Sequence, residues 1–316
     1  MSKILVTGAN GQLGTVLTKK LADKYGEENI IASDLNSANN HQFEILDVTD
    51  FNALKKIVLK YKITQIYHLA AILSANGEKY PLNTWDINMK TFFNVLEVAR
   101  LHQVEKVFFP SSIAVFGNNI ERINIPQSPN LTPSTVYGIS KVAGENWAKY
   151  YFDKYGLDVR SIRYPGVIGH QSLPGGGTTD YAVDIFHKAV NNVNFECFLS
   201  PETTLPMIYM DDAIRATIEL MEAPKNNIKV RTSYNIAGMS FNPKQLTKVI
   251  QKTYSTFKVS YKPDFRQQIA ESWPMSIDDN NAKQDWNWVP KYNLETMAEN
   301  MIHHLKAKYE KENCFI

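Results

Sequence analysis

Short apolar segments alternate with segments of helical periodicity through the first half of this 316-residue chain. The apolar segments are typical of buried strands, whereas the segments between them repeat apolar residues every three or four positions. The predicted strands cover residues 4–7, 30–35, 43–48, 65–71, 104–110 and 159–163, and the predicted helices start after Gly14 and cover about 52–61, 82–102 and 134–155. This alternation predicts an α/β fold with a doubly wound parallel sheet and helices on both faces.

The pattern changes after Tyr164. Frequent prolines and the glycine run at 175–177 divide the rest of the chain into short elements. A succession of short elements separated by proline and glycine is typical of a smaller, loop-rich C-terminal lobe that closes over a substrate. Residues 211–222 nevertheless keep an amphipathic helical pattern. We therefore predict a first domain over 1–165, rejoined by about 205–223, and a substrate lobe over most of 166–316, with an interleaved boundary.

Three glycines, Gly8, Gly11 and Gly14, directly follow the first strand with the spacing Gly-x-x-Gly-x-x-Gly. Leu17 and Leu21 then continue in helical spacing, so the motif joins a strand to a helix start. A helix N-terminus presents free N–H groups and the positive end of the helix dipole, which attract a pyrophosphate. Glycine lets the backbone turn sharply and approach the phosphates. The motif predicts a Rossmann-type dinucleotide turn; the alternative is an ordinary glycine-rich turn.

The second predicted strand ends near Asp34, twenty residues beyond Gly14. A carboxylate at this spacing can accept hydrogen bonds from the adenosine ribose hydroxyls of NAD. It would repel the 2′-phosphate of NADP, and no Arg or Lys follows nearby to receive that phosphate. The predicted cofactor is therefore NAD, the alternative for Asp34 being a solvated acid at a strand end.

Composition narrows the possible partners. A net charge of +2, with 44% hydrophobic and 21% charged residues, is ordinary for a globular protein and gives no reason to expect nucleic acid or a membrane surface. The two cysteines, Cys197 and Cys314, do not form a disulfide framework. No leader-like segment precedes the first strand and no apolar stretch approaches a membrane span, so we expect a cytoplasmic protein.

Tyr137 and Lys141 stand four residues apart near the start of a predicted helix. Residues at this spacing share one helical face, so the ammonium can lie near the phenol. A nearby positive charge favours the phenolate, so we expect the pKa of Tyr137 to be depressed enough for a general base. The preceding strand ends in Pro110, Ser111 and Ser112, which places a hydroxyl at the same crevice. Ser112 is therefore predicted to hydrogen-bond the reacting oxygen while Tyr137 moves its proton.

In chain order, these motifs resemble the extended short-chain dehydrogenase/reductase superfamily. The segments that carry the resemblance are residues 8–14, 34, 47–48, 68–71, 111–112, 115–117, 137–141 and 163–166. Sugar-nucleotide epimerases and dehydratases belong to this superfamily, yet Phe116 replaces the tyrosine common in the sugar epimerases. The second half also lacks an obvious cluster of Arg and Asn for a nucleotide diphosphate.

Segments 110–117, 175–182, 270–279 and 285–288 resemble a narrower family, the L-threonine 3-dehydrogenases of short-chain type. That resemblance implies oxidation of L-threonine at its β-hydroxyl to 2-amino-3-oxobutanoate with NAD+, in a homodimer packed through the two long helices. The implied catalytic residues are Tyr137, Lys141 and Ser112. The implied cofactor contacts are Gly8, Asn10, Gly11, Gln12, Leu13, Asp34, Leu35, Asp47, Val48, Leu69, Ala70, Ala71, Tyr137, Lys141 and Tyr164.

The same resemblance implies that L-threonine contacts Ser74, Ser112, Tyr137 and either Thr178 or Thr179, with a preference for Thr179. The loop at 74–77 and the triple glycine are expected to move to admit the substrate. For these hydroxyls the alternative is loop capping. His68, between apolar residues, is interpreted as a neighbour of the cofactor or a core histidine, and no cluster with metal-ligand spacing is present.

Two other functions fit the same scaffold. A sugar-nucleotide 4-epimerase or dehydratase shares the Ser/Tyr/Lys chemistry and predicts tightly held NAD. A non-catalytic NAD sensor is the other alternative, and the presence of Tyr137, Lys141 and Ser112 argues against it.

Overall fold

The computed structural model describes residues 2–37, 42–118, 121–171, 173–175 and 177–313. Gly176 and Cys314, which the sequence patterns included, lie outside these described residues. The strands are β1 (Ile4–Thr7), β2 (Ile30–Asp34), β3 (Phe43–Ile45), β4 (Gln65–His68), β5 (Lys106–Ser112), β6 (Asp158–Tyr164), β7 (Gly166–Ile168), β8 (Phe195–Cys197), β9 (Leu205–Tyr209), β10 (Tyr234–Asn235), β11 (Met239–Phe241) and β12 (Val259–Tyr261). The helices are α1 (Gln12–Tyr25), α2 (Phe51–Tyr61), α3 (Ser74–Gly77), α4 (Pro81–Leu101), α5 (Val136–Tyr155), α6 (Tyr181–Val190), α7 (Met210–Glu222), α8 (Pro243–Gln251), α9 (Arg266–Glu271), α10 (Asn280–Trp286) and α11 (Leu294–Asn313).

Seven strands form one sheet in the order β10-β6-β5-β4-β1-β2-β3, and every pair in it is parallel. The strand order reverses between β1 and β4, which opens a crevice at the carboxyl ends of these strands. Ser112 at the end of β5 pairs in register with Tyr164 at the end of β6, and Thr7 pairs with His68. The predicted α/β, Rossmann-type doubly wound sheet is confirmed.

Helix starts agree with local capping chemistry. Asp50 precedes α2, and its side chain accepts hydrogen bonds from the backbone N–H groups of Asn52 and Ala53. Thr135 precedes α5 and accepts from the N–H of Gly138. Such caps satisfy N–H groups that have no partner inside the helix. The segment at 74–77, predicted as a loop, instead forms the one-turn helix α3.

The sheet is covered on both faces by apolar clusters. One cluster packs α1 and α7 against the sheet and includes Leu17 and Ile214. The opposite cluster packs α2, α4 and α5 and includes Leu54 and Val95. Near-continuous apolar strands such as β1, buried at all four positions, follow from this two-sided cover.

The chain after β6 leaves the large sheet and returns to it twice. β7, β9 and β11 form a second, three-stranded sheet, and β8 pairs with β12. Between them α7 packs back on α1, and β10 joins the large sheet beside β6. A separate apolar cluster, which includes Phe186 and Met301, fills the C-terminal part. In the described part of the chain, no helix combines the length and apolar character that crossing a bilayer requires.

Candidate active site

The glycine turn after β1 is built for close backbone contact. Gly8 has a φ of +73°, and a Cβ there would lie 2.6 Å from the backbone nitrogen of Ala70. A Cβ on Gly14 would lie 2.1 Å from the carbonyl oxygen of Gly8, so both positions require glycine. Gly11 precedes α1 and supplies no side-chain cap, which leaves the N–H groups of Gln12 and Leu13 at the helix start for an anion. This cradle fits a dinucleotide pyrophosphate.

Asp34 ends β2 beside this turn. Its Oδ2 accepts a hydrogen bond of 3.0 Å from the Asn10 backbone N–H, and its Oδ1 accepts one of 2.7 Å from Leu35 N–H. The Asn10 side chain donates to the Asn36 carbonyl at 2.7 Å. Leu35 is 62% exposed, so the strand end faces an open surface. These bonds fix the carboxylate where a ribose diol can reach it.

The other predicted cofactor residues lie at the carboxyl ends of neighbouring strands. Asp47 accepts a hydrogen bond from Thr49 N–H at 2.8 Å, and the Val48 carbonyl accepts one from the Asn94 side chain at 2.8 Å. Leu69, Ala70 and Ala71 follow β4 directly, with Ala70 against Gly8.

Tyr164 is placed differently from the others. Its side chain is buried, its hydroxyl contacts Thr217 of α7, and its ring packs against Phe108. The phenol therefore belongs to the core, and only the backbone of Tyr164 is in position to contact a cofactor.

Ser112, Tyr137 and Lys141 come together where β5 meets α5. Ser112 ends β5, and its hydroxyl accepts from the Ala114 N–H at 3.2 Å. Tyr137 and Lys141 lie one turn apart in α5, with Lys141 Nζ 5.3 Å from the Tyr137 ring centroid and 4.6 Å from that of Phe109. Lys141 is buried and Tyr137 is half-buried. The sequence spacing thus produces the predicted cluster.

The expected depression of the Tyr137 pKa is wrong for this structure. Burial raises the pKa of Tyr137 to about 12, and only a hydrogen bond with Ser112 opposes that rise. Burial lowers the pKa of Lys141 to about 7, opposed by the charge of Glu145. The physical reason is that desolvation penalises the charged form of both groups, phenolate and ammonium alike.

Two side chains beside Lys141 complete the site. His68 is buried; its Nδ1 lies 2.9 Å from Thr7 Oγ1, and burial lowers its pKa to about 3. Asn88 of α4 donates to the Ile72 carbonyl at 3.0 Å and accepts from the Ile72 N–H at 2.8 Å. A cavity of about 10 Å³ lies between His68, Asn88 and Lys141, about the size of one water. His68 is thus a buried core histidine beside Lys141, which is one of its two predicted interpretations.

Sequence reasoning missed Asn88 and Glu145. Asn88 lies among the apolar residues of the buried face of α4. A polar residue at such a position needs hydrogen-bond partners, and this was the signal in the sequence that could have identified it. Glu145 continues the four-residue spacing of Tyr137 and Lys141 along α5. It is buried and paired with Arg163 at 2.7 Å.

The predicted substrate hydroxyls lie on two segments, one that contacts α5 and one that packs against Gly166 just beyond β6. Ser74 begins α3, which contacts the start of α5, where Glu78 accepts from the Val136 N–H at 2.8 Å. Thr178 is buried, whereas Thr179 is half-buried with its methyl group over Gly166, just beyond β6. Asp180 accepts from the Gly177 N–H at 2.8 Å and holds this loop.

Among the described residues, no group of three or more His, Cys, Asp or Glu side chains is arranged to hold a metal ion.

Comparison with known proteins gives a consistent result. The model of the NAD dependent epimerase/dehydratase family matches residues 4–237. An uncharacterized epimerase/dehydratase of Staphylococcus haemolyticus is 45% identical over 99% of both chains. The holo form of an L-threonine dehydrogenase from Cupriavidus necator is 51% identical, with a TM-score of 0.95 over 96% of this chain and 100% of that one. A monomeric L-threonine 3-dehydrogenase from a metagenome is 48% identical, with a TM-score of 0.93 over 96% and 99%. The chain therefore belongs to the NAD dependent epimerase/dehydratase family.

Proposed function

We propose that this protein is an NAD-dependent L-threonine 3-dehydrogenase, which oxidises the β-hydroxyl of L-threonine to 2-amino-3-oxobutanoate. The observation that carries the proposal is the meeting of Ser112, Tyr137 and Lys141 beside the glycine turn. Solved structures similar over nearly the whole chain bear the name of this activity, which supports the choice of substrate.

NAD+ fits the residues around the crevice. We assign the pyrophosphate to the turn at Gly8, Gly11 and the start of α1, with Asn10, Gln12 and Leu13 at its rim, and the adenosine ribose to Asp34 beside Leu35. The further cofactor contacts are assigned to Asp47, Val48, Leu69, Ala70, Ala71, Tyr137, Lys141 and the backbone of Tyr164. Bound NAD+ supplies a hydride acceptor for the substrate Cβ.

The chain itself supplies proton transfer and orientation. The Ser112 hydroxyl hydrogen-bonds the threonine β-hydroxyl, and Tyr137 as phenolate takes its proton while the hydride leaves Cβ. The Lys141 ammonium lies one turn away on the same face, where it would favour that phenolate and would hold the nicotinamide ribose. Because burial disfavours both charges, we propose that the phenolate forms while the neighbouring Lys141 is charged and offsets part of that cost.

The amino-acid end of the substrate is assigned to hydroxyls on two segments. Ser74 approaches from α3, and Thr179 approaches from the loop that Asp180 holds. Thr179 is more accessible than the buried Thr178, which supports Thr179 as the direct contact. Closure of this loop would exclude water from the hydride transfer.

A sugar nucleotide is the competing substrate. A groove of about 620 Å³ lies beside Asp180 in the C-terminal part, lined by Asp184, Glu196 and Asp264 as well as Lys262 and Arg266. Arg266 is paired with Asp264 at 2.6 Å. Ser112, Tyr137 and Lys141 do not line this groove, so the choice of L-threonine over a sugar nucleotide rests on the similar solved structures.

The outer faces of α4 and α5 support a homodimer. Leu82 and Trp85 on α4 and Ile139, Trp147 and Tyr150 on α5 are between 36% and 80% exposed, and we call this set the α4/α5 face. The Trp147 ring packs edge-on against Phe93 of α4 at 4.9 Å, so the two helices present one continuous surface. Exposed apolar surface of this kind is typical of a protein interface. A second copy of the chain, packed helix to helix, is the occupant that we propose.

We propose an NAD-binding domain over 1–165, rejoined by about 205–223, and a substrate lobe over most of 166–316, because α7 packs back on α1, β5 and β6. β10, beyond that segment, also joins the large sheet beside β6. A cytoplasmic location is proposed because the chemistry uses soluble NAD+ and a free amino acid.

An assay panel tests the proposed function. Purified protein is given NAD+ or NADP+ together with L-threonine, L-allo-threonine, L-serine or UDP-galactose. We expect NADH release with NAD+ and L-threonine. Epimerisation of UDP-galactose without NADH release would support the sugar-nucleotide alternative, and absence of turnover with every alcohol would refute a dehydrogenase.

A further inference from the structure

A buried carboxylate that takes no part in the proposed proton transfer lies directly behind the catalytic cluster. Glu145 is 1% exposed and follows Lys141 by one helical turn in α5. Ser111 Oγ donates to its Oε1 at 2.6 Å. Arg163 donates from Nε to Oε1 at 2.9 Å and from Nη2 to Oε2 at 2.7 Å.

We propose that Glu145 is a positioning residue for the reaction: it clamps the ends of β5 and β6 to α5, so that Ser112 faces Tyr137, and its negative charge favours the ammonium form of Lys141. The proposal rests on the proposed function of Tyr137, Lys141 and Ser112.

The clamp follows from the register of the sheet. Ser111 and Arg163 are direct partners across the β5–β6 ladder. The Glu145 carboxylate therefore binds one side chain of each strand. These are Ser111, which directly precedes Ser112 in β5, and Arg163 in β6. Arg163 is anchored in turn, since its Nη1 donates to the Gln127 carbonyl at 2.7 Å. A buried, fully paired network of this kind has one low-energy arrangement, which fixes the distance between strand and helix.

The electrostatic effect follows from the surroundings of Lys141. Residues four apart on a helix share a face, so Tyr137 and Glu145 flank Lys141 from either side. On β4 the facing group is His68, which is neutral because burial lowers its pKa to about 3. The other described residues that line the small cavity with Lys141 carry no charge: Ala70, Ala71, Asn88, Met89, Phe92, Phe109 and Ser140. Glu145 is the anion that opposes the effect of burial on the Lys141 pKa.

A core salt bridge with no influence on the reaction is the alternative role for Glu145, and pH dependence separates the two. Loss of a purely structural bond lowers kcat/KM equally at every pH. Loss of the anion makes it easier to remove the first proton from the Tyr137–Lys141 pair, so the rising limb of kcat/KM moves to lower pH. The plateau of kcat/KM at higher pH then falls. The reason is that the proton is lost from Lys141, whereas Tyr137 stays protonated and cannot act as a base.

The test compares Glu145→Gln, which removes the charge and keeps the shape, with Ser111→Ala, which cuts the link to β5 and keeps the charge. For Glu145→Gln we expect the rising limb of the kcat/KM profile for L-threonine oxidation to move down by about one pH unit. The plateau of that profile is expected to fall about tenfold. For Ser111→Ala we expect an unmoved limb and a severalfold lower kcat. Thermal melts verify folding, and Glu145→Gln/Arg163→Gln replaces the single variant if the unpaired Arg163 prevents folding.

A second readout needs no substrate. The titration of Lys141 is followed by NMR of 13Cε-labelled lysine, with its signal assigned by loss in Lys141→Met. In Glu145→Gln, or in Glu145→Gln/Arg163→Gln, we expect Lys141 to titrate at lower pH.

A folded variant whose kcat/KM limb and Lys141 titration match the wild type would overturn the electrostatic role. Wild-type kcat in Ser111→Ala would overturn the clamp. If the wild type does not oxidise L-threonine, the proposed function fails, whereas the NMR titration still decides the role of Glu145.

Discussion

The Lys141 ammonium lies 5.3 Å from the centroid of the Tyr137 ring, yet both groups are shifted towards their neutral forms. Each charge alone suffers the cost of burial. A proton that moves from Tyr137 to Lys141 creates both charges together, and their attraction offsets part of that cost. A phenolate at Tyr137 is therefore less costly while Lys141 is charged, and this relationship governs the expected behaviour of the variants at both positions.

Tyr137→Phe removes the proton acceptor and keeps the ring. We expect kcat for L-threonine oxidation to fall by about 10²- to 10⁴-fold, the range of general-base catalysis. NAD+ affinity, measured by calorimetry, is expected to change little, because the phenol forms only one of many cofactor contacts. A variant that keeps most of kcat would remove Tyr137 from this role.

Lys141→Met tests the burial of the ammonium through stability. The folded-state pKa of Lys141 is about 7, against 10.5 for an exposed lysine. At a pH between these two pKa values, Lys141 binds more protons in the unfolded chain than in the folded one. The contribution of Lys141 to the free energy of unfolding therefore rises as the pH increases from about 7 to 10.5, and it is lower below pH 7. Urea unfolding of protein without NAD should therefore show the difference, wild type minus Lys141→Met, increasing between pH 7 and pH 9. A constant difference would contradict the burial effect.

The sequence predicted the elements well and their chemical environment less well. Periodicity located α4 and α5 within two residues, and four-residue spacing brought Tyr137 and Lys141 together. Spacing does not report burial, however, so the direction of the Tyr137 pKa shift was wrong. The contact of Tyr164 with Thr217 depends on how α7 returns to the sheet, which is a tertiary relationship that no local pattern encodes.

Gly8→Ala and Gly156→Ala form a matched pair. Both glycines have positive φ, +73° and +71°, so each substitution carries a backbone strain of about 1–2 kcal/mol. A Cβ on Gly156 meets no atom within 4 Å, whereas a Cβ on Gly8 lies 2.6 Å from the Ala70 nitrogen. Gly8→Ala is therefore expected to lose NAD+ binding as well as stability, and Gly156→Ala only stability. Calorimetric titration with NAD+ and thermal melts separate the two effects, and equal NAD+ affinities would argue against a tight cofactor turn.

Asp34→Ala tests cofactor choice. Its carboxylate is held by Asn10 and Leu35 at the open end of β2. Hydrogen bonds to a charged group are worth about 1.5–3 kcal/mol, so we expect KM for NAD+ to rise about 10- to 100-fold. The ratio of activity with NADP+ to that with NAD+ is expected to increase, because the charge that repels the 2′-phosphate is gone. An unchanged ratio in steady-state assays would place the ribose elsewhere.

Charge on the α4/α5 face tests the homodimer. Leu82 is 80% exposed and lies in the first turn of α4, where an acidic residue is compatible with the helix dipole, so Leu82→Asp leaves the protomer intact. Trp147→Asp adds a second charge on the same face, on α5. In a dimer the two copies of each carboxylate would be buried and would repel one another across the two-fold axis, a cost that grows as water is excluded.

Light scattering after size exclusion is therefore expected to give a dimer for the wild type and a monomer for Leu82→Asp/Trp147→Asp. Val289→Asp, at a 60% exposed apolar position outside both helices, is the matched control and should remain a dimer. Dissociation of the control as well would indicate a different interface, and a wild-type monomer would show that the α4/α5 face serves another purpose.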